Sequence, residues 1–550
     1  SGIEIQMGLQ PLLSMQPIRP VELLIILGVC AVGLFYYWRT ASRARAKLTF
    51  SNFFLGGKRI GATGSENGTW GLCFAFANAI WYYAYLGYNN GFVSFWLQIP
   101  WSLSVVIFGR YIATYLKATR EGTVHEYLGN RYGNKVRIVA CVATSIGYIL
   151  NCGFETFYSG FLLSKCFHLE DAPFLISCAI AIACSLYCIT AGFSGNIAND
   201  KPQNKIATAG CVLLVALLAY SVSSSKGMSV FAGIANSFAY SQHIGIDLVM
   251  GVVVFTLFFN FVDMANWQIA AGNSDANETE LPGIRWSYYK SAALQILAPA
   301  IVGTSIGALL HFYATGIQDE DLIKSALELT LPTAPMVIRG LFFGFIILGF
   351  LSATLSSIGN YFLAAVQTLS LDLFSHAEYR RIRSISDTTE REMAEEGFVR
   401  TVSWRFPLMA IGSVAVFGFL YYDNPGRVFA FQFIMYGAAF ALFPPLVYAL
   451  RKQSLDQKVS ERLNYASGWA IFLGVFVAIV PFVVVSYFPD GDLAKRMLVW
   501  VPKGFDATFY QNCAPLFSLA ASSMVFLAGL AYVSFSGERE SMQKSYSLLT

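Results

Sequence analysis

The sequence is poor in charge. Asp, Glu, Lys and Arg make up 13% of its 550 residues, about half of the roughly 25% found in soluble domains. The net charge is +4, too small a surplus to point to nucleic acid. Histidine is scarcer still, with five in the chain. None stands at metal-ligand spacing, and no nucleophile–base set or phosphate-binding glycine loop accompanies them, so an enzyme is not indicated. The ten cysteines are scattered singly, mostly inside apolar runs, with no C-x-x-C and no zinc spacing. They read as small core residues rather than a disulfide framework. The chain opens on Ser1, not Met, and shows no cleavable signal peptide.

What is abundant is apolar sequence. Hydrophobic residues reach 55% and the mean hydropathy is +0.53. Apolar runs near the length of a bilayer crossing recur along the whole chain. About thirteen spans are predicted, near 21–38, 68–89, 92–116, 137–165, 173–193, 206–224, 247–272, 291–315, 338–372, 403–423, 428–450, 467–488 and 513–535. The fold class expected is therefore an all-α polytopic membrane protein, with membrane lipid around it and no appended soluble domain. "RTASRARAK", "KATREGTVHEYLGNRYGNKVR", "NDKPQNK", "RRIRS", "RKQSLDQK" and "GERE" all fall on one side, and that side as a whole holds most of the 37 Lys and Arg. The positive-inside rule makes that side cytoplasmic, with the N-terminus outside and the C-terminus inside, in a plasma or bacterial inner membrane. "NGT" at Asn67 and "NET" at Asn277 fall on the cytoplasmic side, so neither is expected to be glycosylated.

The ninth span carries Ser352, Thr354, Ser356 and Ser357 within six residues. Ala353, Ser356 and Ser357 stand at i, i+3 and i+4 and share a helical face. A freed Ala353 carbonyl and two hydroxyls would offer three hard, neutral oxygens, which suit a sodium ion. The alternative is plain packing, or hydroxyls bonded back to the preceding turn.

Four segments then add a resemblance. "FFLGGKRIG" precedes the second span, "GTVHEYLGNRYG" (122–133) follows the third, "GFSGNIANDKPQ" (192–203) precedes the sixth, and "SATLSSIGNYFLAAVQTLSLDLF" forms the ninth. In order and spacing they resemble the sodium/solute symporter family, over about residues 50 to 375. That resemblance implies five plus five helices in inverted repeats, with a broken first helix in each repeat. Repeat one would cover about 67–224 and repeat two about 247–450. Residues 1–66 would add one span and residues 451–550 two more. The resemblance also implies a sodium site made by the carbonyls of Phe76, Ala79 and Ala353 and the hydroxyls of Ser356 and Ser357. Asp200 would be a nearby acid, although Asn199, Lys201 and Pro202 depart from the family pattern around it. Its other reading is a solvated loop acid capping a helix.

The solute pocket is expected beside the broken helices, at Trp81, Tyr82 and Tyr83 of the second span and Asn260, Asp263, Trp267 and Gln268 of the seventh. Glu155 of the fourth span and Gln432 and Tyr436 of the eleventh would complete it. "F-x-D-x-x-x-W-Q" around Asp263 resembles the urea and polyamine branch. The tyrosines have packing and interfacial anchoring as their other role, and the acids a structural pairing. Two carboxylates among aromatics favour a small polar solute with nitrogen. The activity implied is sodium-coupled symport by alternating access. The alternative is a transporter-like sensor, or a non-transporting subunit, that keeps the fold and works with a partner protein.

Overall fold

The computed structural model describes residues 18–44, 48–118, 122–169, 171–331, 334–423, 434, 437–452, 457–502 and 508–547. Among them no strand occurs, and ten helices are long and apolar enough to cross a membrane. Two of the expected crossings are absent from those ten for structural reasons. The second is broken into Gly61–Cys73, Phe76–Trp81 and Tyr82–Asn90. The fifth and sixth merge into one run, Pro173–Ser225, which turns at Gly192 with φ +59° and ψ −165°. The eleventh is described only in part, as Gly437–Arg451, so Gln432 and Tyr436 lie outside the described residues.

Gly192 relocates a boundary. The segment "NDKPQNK" reads as a loop because of its charges, but it is helical and mostly buried. The reversal comes earlier, at a glycine, because only a glycine tolerates that left-handed φ without strain. Asn196, Asn199, Asp200, Gln203 and Asn204 then recur at helical spacing as a polar stripe with no exposed surface. Lys201 and Lys205 point the other way and are exposed.

Both expected broken helices are present. The second span is interrupted at Phe74 (φ −96°, ψ 66°) and Ala75 (φ −95°, ψ 151°). The seventh is divided into Ile246–Val262 and Met264–Ala271, with Asp263 extended between them (φ −70°, ψ 122°). Neither break contains proline or glycine, so each must be held open by partners for the released backbone groups.

Close helix approach positions these halves. The second half of the second span packs on the eighth span. A Cβ on Gly307 would collide with the Ala84 carbonyl oxygen, and one on Gly303 would sit 2.6 Å from Tyr83 Cβ. Small residues bring membrane helices into backbone contact this way. The ninth span, Met336–Gln367, packs along the fifth–sixth run with the first span beside it. The Tyr37 and Ser352 hydroxyls share a 2.7 Å hydrogen bond, and buried Arg339 pairs with buried Glu22 at 3.5 Å. These two contacts pin the first span, Pro20–Arg43, to the ninth.

Candidate functional site

Glu155 holds the first break open. Helix Gly61–Cys73 closes with the Phe74 amide donating to the Trp70 carbonyl at 3.0 Å. Beyond Ala75, the next three amides turn away to one side chain. Phe76 N–H donates to Glu155 Oε1 at 2.5 Å, Ala77 N–H to both carboxylate oxygens at 3.1 and 3.0 Å, and Asn78 N–H to Oε2 at 3.0 Å. The Asn78 side chain adds Nδ2 to Oε2 at 3.0 Å and Nδ2 to Asn151 Oδ1 at 2.7 Å. In an unbroken helix those three amides would bond the carbonyls of Leu72, Cys73 and Phe74. Glu155 takes the donors, so these three carbonyls lose their helical partners. The carboxylate also sits at a helix N-terminus, where a negative charge is favoured.

Asp263 does the same for its own half-helix. Its Oδ2 accepts from Asn266 N–H and from Asn266 Nδ2, both at 3.0 Å. The Tyr148 hydroxyl accepts from Met264 N–H at 2.6 Å and donates to Asp263 Oδ1 at 3.5 Å. Asp263 is 2% exposed, and it is absent from the walls of the central cavity. An N-cap role predicts a mild Asp263→Asn variant, since the two caps are nearly equivalent, and a loss of about 0.5–2 kcal/mol for Asp263→Ala. Thermal unfolding of the two variants in detergent checks this. Equal losses would show that the cap is not what Asp263 supplies.

An oxygen-rich cluster lies where the ninth span meets the end of Gly61–Cys73. Ser356 Oγ donates to Asp200 Oδ1 at 2.7 Å, and Asn360 Nδ2 donates to Oδ2 at 3.2 Å. A Cβ on Gly71 would strike Ser356 Oγ and lie 3.1 Å from Asp200 Cγ, so the ninth span's hydroxyl face and Asp200 both abut this half-helix. Ser357 Oγ bonds back to the Thr354 carbonyl at 3.2 Å. Asp200, Ser356 and Ala353 are fully buried and Ser357 is 1% exposed. Among the described residues no Lys or Arg pairs with Asp200. The solvated-loop reading of Asp200 therefore does not hold.

The freed carbonyls stand earlier in the chain than the Phe76 and Ala79 carbonyls that the resemblance implies. Phe76 packs against Phe350 with the rings tilted and their centroids 4.8 Å apart. Phe350 lies seven residues from Ser357, or ~10 Å along a helix. The Ala79 carbonyl accepts from the Tyr82 amide. Leu72 and Cys73 directly follow Gly71, the residue that abuts Ser356.

The central cavity, of ≈ 70 Å³, is lined on the second span by Leu72, Cys73, Ala75, Asn78, Ala79, Tyr82 and Tyr83. Gln98 and Trp101 close it from the third span, Val252, Phe255 and Thr256 from the seventh, and Tyr361 from the ninth. Of the residues expected to line a pocket, Tyr82 and Tyr83 do. Trp81 donates its Nε1–H to the Asp319 carbonyl at 3.1 Å. Trp267 packs between Tyr115 and Tyr127. Gln268 donates to the Phe54 carbonyl at 2.7 Å and to Gln367 Oε1 at 2.8 Å. Asn260 accepts from Asn266 at 2.8 Å. Gln98 and Thr256 are not among the expected lining residues, although each is a lone polar residue in an apolar run, "FWLQIPW" and "VVVFTLFF".

No family model matches the sequence, and no curated protein matches it. Solved structures do. The chain is similar to a Na⁺-coupled sialic acid symporter in a substrate-bound outward-open state, with a TM-score of 0.58 and 13% identity over 93% of this chain and 98% of that one. It is similar to Mhp1, a nucleobase-cation-symport-1 family transporter in a closed conformation with bromovinylhydantoin bound, with a TM-score of 0.52 and 13% identity over 89% and 97%. A manganese transporter of Eremococcus coleocola gives a TM-score of 0.50 and 13% identity over 86% and 95%. At such identities what is shared is the architecture: this chain has the inverted-repeat fold of these transporters.

Proposed function

We propose that the protein is a sodium-coupled symporter of a small polar solute bearing nitrogen, working by alternating access. One observation carries the reading. Asp200 is a buried carboxylate in a membrane helix, held by two neutral donors, Ser356 and Asn360. A charge at that depth is costly, and a cation seated between Asp200, the Ser356 and Ser357 oxygens and the carbonyls released at the first break would offset it. Hard oxygen ligands and a single carboxylate suit sodium. The polar stripe beyond Asp200 supports an ionic route, because Asn199, Gln203 and Asn204 keep buried oxygens without protein partners and water could serve them.

The two repeats would be about 67–224 and 247–450, rocking about the cavity between the broken helices. The Lys/Arg asymmetry supports a cytoplasmic C-terminus. Uptake by proteoliposomes tests the proposal. A panel of small solutes that includes urea and acetamide should show accumulation under an inward sodium gradient and none when potassium replaces sodium. Uptake of equal rate in both would refute sodium coupling. Cysteine labelling at Arg131 and at His243, from opposite sides of the same vesicles, reports the orientation.

A further inference from the structure

We infer that the solute is electrically neutral, with a compact amide-like head that binds next to Gln98. The inference rests on the transporter reading above and narrows the substrate class of the same cavity.

Three ways of recognising charge are already engaged elsewhere or lacking at this cavity. The first is a helix N-terminus. Released amides at a broken helix are the usual seat for a solute's anionic group. Here the Phe76, Ala77 and Asn78 amides all go to Glu155. At the second break the Met264 amide goes to Tyr148 and the Asn266 amide to Asp263. The second way is a carboxylate for a cation. A carboxylate offers about four lone-pair sites. Glu155 accepts from three backbone amides and the Asn78 side chain, and Asp263 is engaged by Asn266 and Tyr148. Neither acid lines the cavity. The third is a basic side chain, and the cavity wall has none. A sodium ion at Ser356 would not serve an anion either, because Asp200 already balances it. A charged solute would enter a site whose wall carries no side chain of opposite charge, and a charge taken out of water is unfavourable unless it is fully paired.

What the wall offers is neutral. Tyr83 donates its hydroxyl proton to Gln98 Oε1 at 2.7 Å, leaving the Gln98 NH₂ as a donor. Thr256 donates to the Val252 carbonyl at 2.7 Å, leaving its oxygen as an acceptor. Trp101 donates its Nε1–H to Cys73 Sγ at 2.8 Å, so its ring serves as an apolar face. A donor, an acceptor and flat apolar walls match a carbonyl and N–H pair on a planar group. Size agrees. One water needs about 10–15 Å³ of this kind of volume, so ≈ 70 Å³ holds a head of about five heavy atoms.

Acetamide, acetate and acetamidinium share one shape and differ in charge. Purified protein in sodium buffer is titrated with each while tryptophan fluorescence and thermal unfolding are followed. Acetamide should bind saturably, at roughly millimolar affinity for so small a ligand, and at least tenfold more tightly than either ion. Gln98→Ala should abolish the response, and Gln98→Glu should shift preference to acetamidinium. Acetate or acetamidinium binding within threefold of acetamide would overturn the inference, as would no response to any of the three. The transporter reading fails separately. It requires sodium to raise the unfolding temperature with no solute present, and that measurement does not depend on which amide binds.

Discussion

Glu155→Ala is expected to abolish uptake by unmaking the site rather than by removing a solute contact. The variant strands the Phe76, Ala77 and Asn78 amides, which Glu155 accepts from in a largely buried region. Each stranded donor costs about 1–3 kcal/mol, so the expected loss is several kcal/mol, a large share of a typical folding free energy of about 5–15 kcal/mol. The helix also has a cheaper alternative. With the carboxylate gone, those amides can return to the Leu72, Cys73 and Phe74 carbonyls and the break can heal. Either outcome removes the freed carbonyls that the ion is proposed to use. Glu155→Gln keeps one acceptor oxygen but turns an NH₂ toward the amides, so it should fall between wild type and Glu155→Ala in unfolding temperature. A solute-contact role makes a different forecast: Glu155→Gln would then leave the unfolding temperature intact and raise KM alone. Unfolding curves measured beside uptake kinetics separate the two.

The sequence exposes much of this architecture and conceals the reason for its key feature. Span periodicity, charge asymmetry and the hydroxyl face of the ninth span are properties of side chains, and side chains are what a sequence displays. Both expected helix breaks are present, yet neither has a helix-breaking residue. The partner of Glu155 is three backbone amides, which have no letter in a sequence. Pairing each mid-membrane acid with a solute or a neutral side chain overlooks the donors a broken helix releases. Asp263 is misjudged for the same reason: the extended residue between two half-helices is an N-cap by position. Asp200 shows the opposite failure. Its neighbours Lys201 and Lys205 suggest a solvated loop, but they occupy the exposed face of a helix whose other face is buried. The deciding residue is Gly192, where a positive φ ends the fifth span, and a glycine in "AGFSGN" gives no sign of which conformation it adopts.

Asp200→Asn should act with the opposite sign to Glu155→Ala. Without sodium, wild type buries a carboxylate that neutral donors satisfy only in part, and charge at membrane depth costs about 2.5–3.5 kcal/mol on an insertion scale. Asn keeps the shape and an acceptor for the Ser356 hydroxyl and removes the charge, so the sodium-free variant should unfold at or above the wild-type temperature. Sodium should then separate the two proteins. A ligand that binds only the folded state stabilises it by RT ln(1 + [L]/Kd), about 2.7 kcal/mol at a hundred times Kd. Wild type should gain that stabilisation on titration with sodium, and Asp200→Asn should gain almost none. Ser356→Ala should fall between, because it removes one ligand and a hydrogen bond to Asp200 but leaves the charge. Uptake should follow the sodium response, with Asp200→Asn at least a hundredfold slower although it is well folded. A variant that still gains stability from sodium as wild type does would remove Asp200 from the ion site, and with it the observation on which sodium coupling rests.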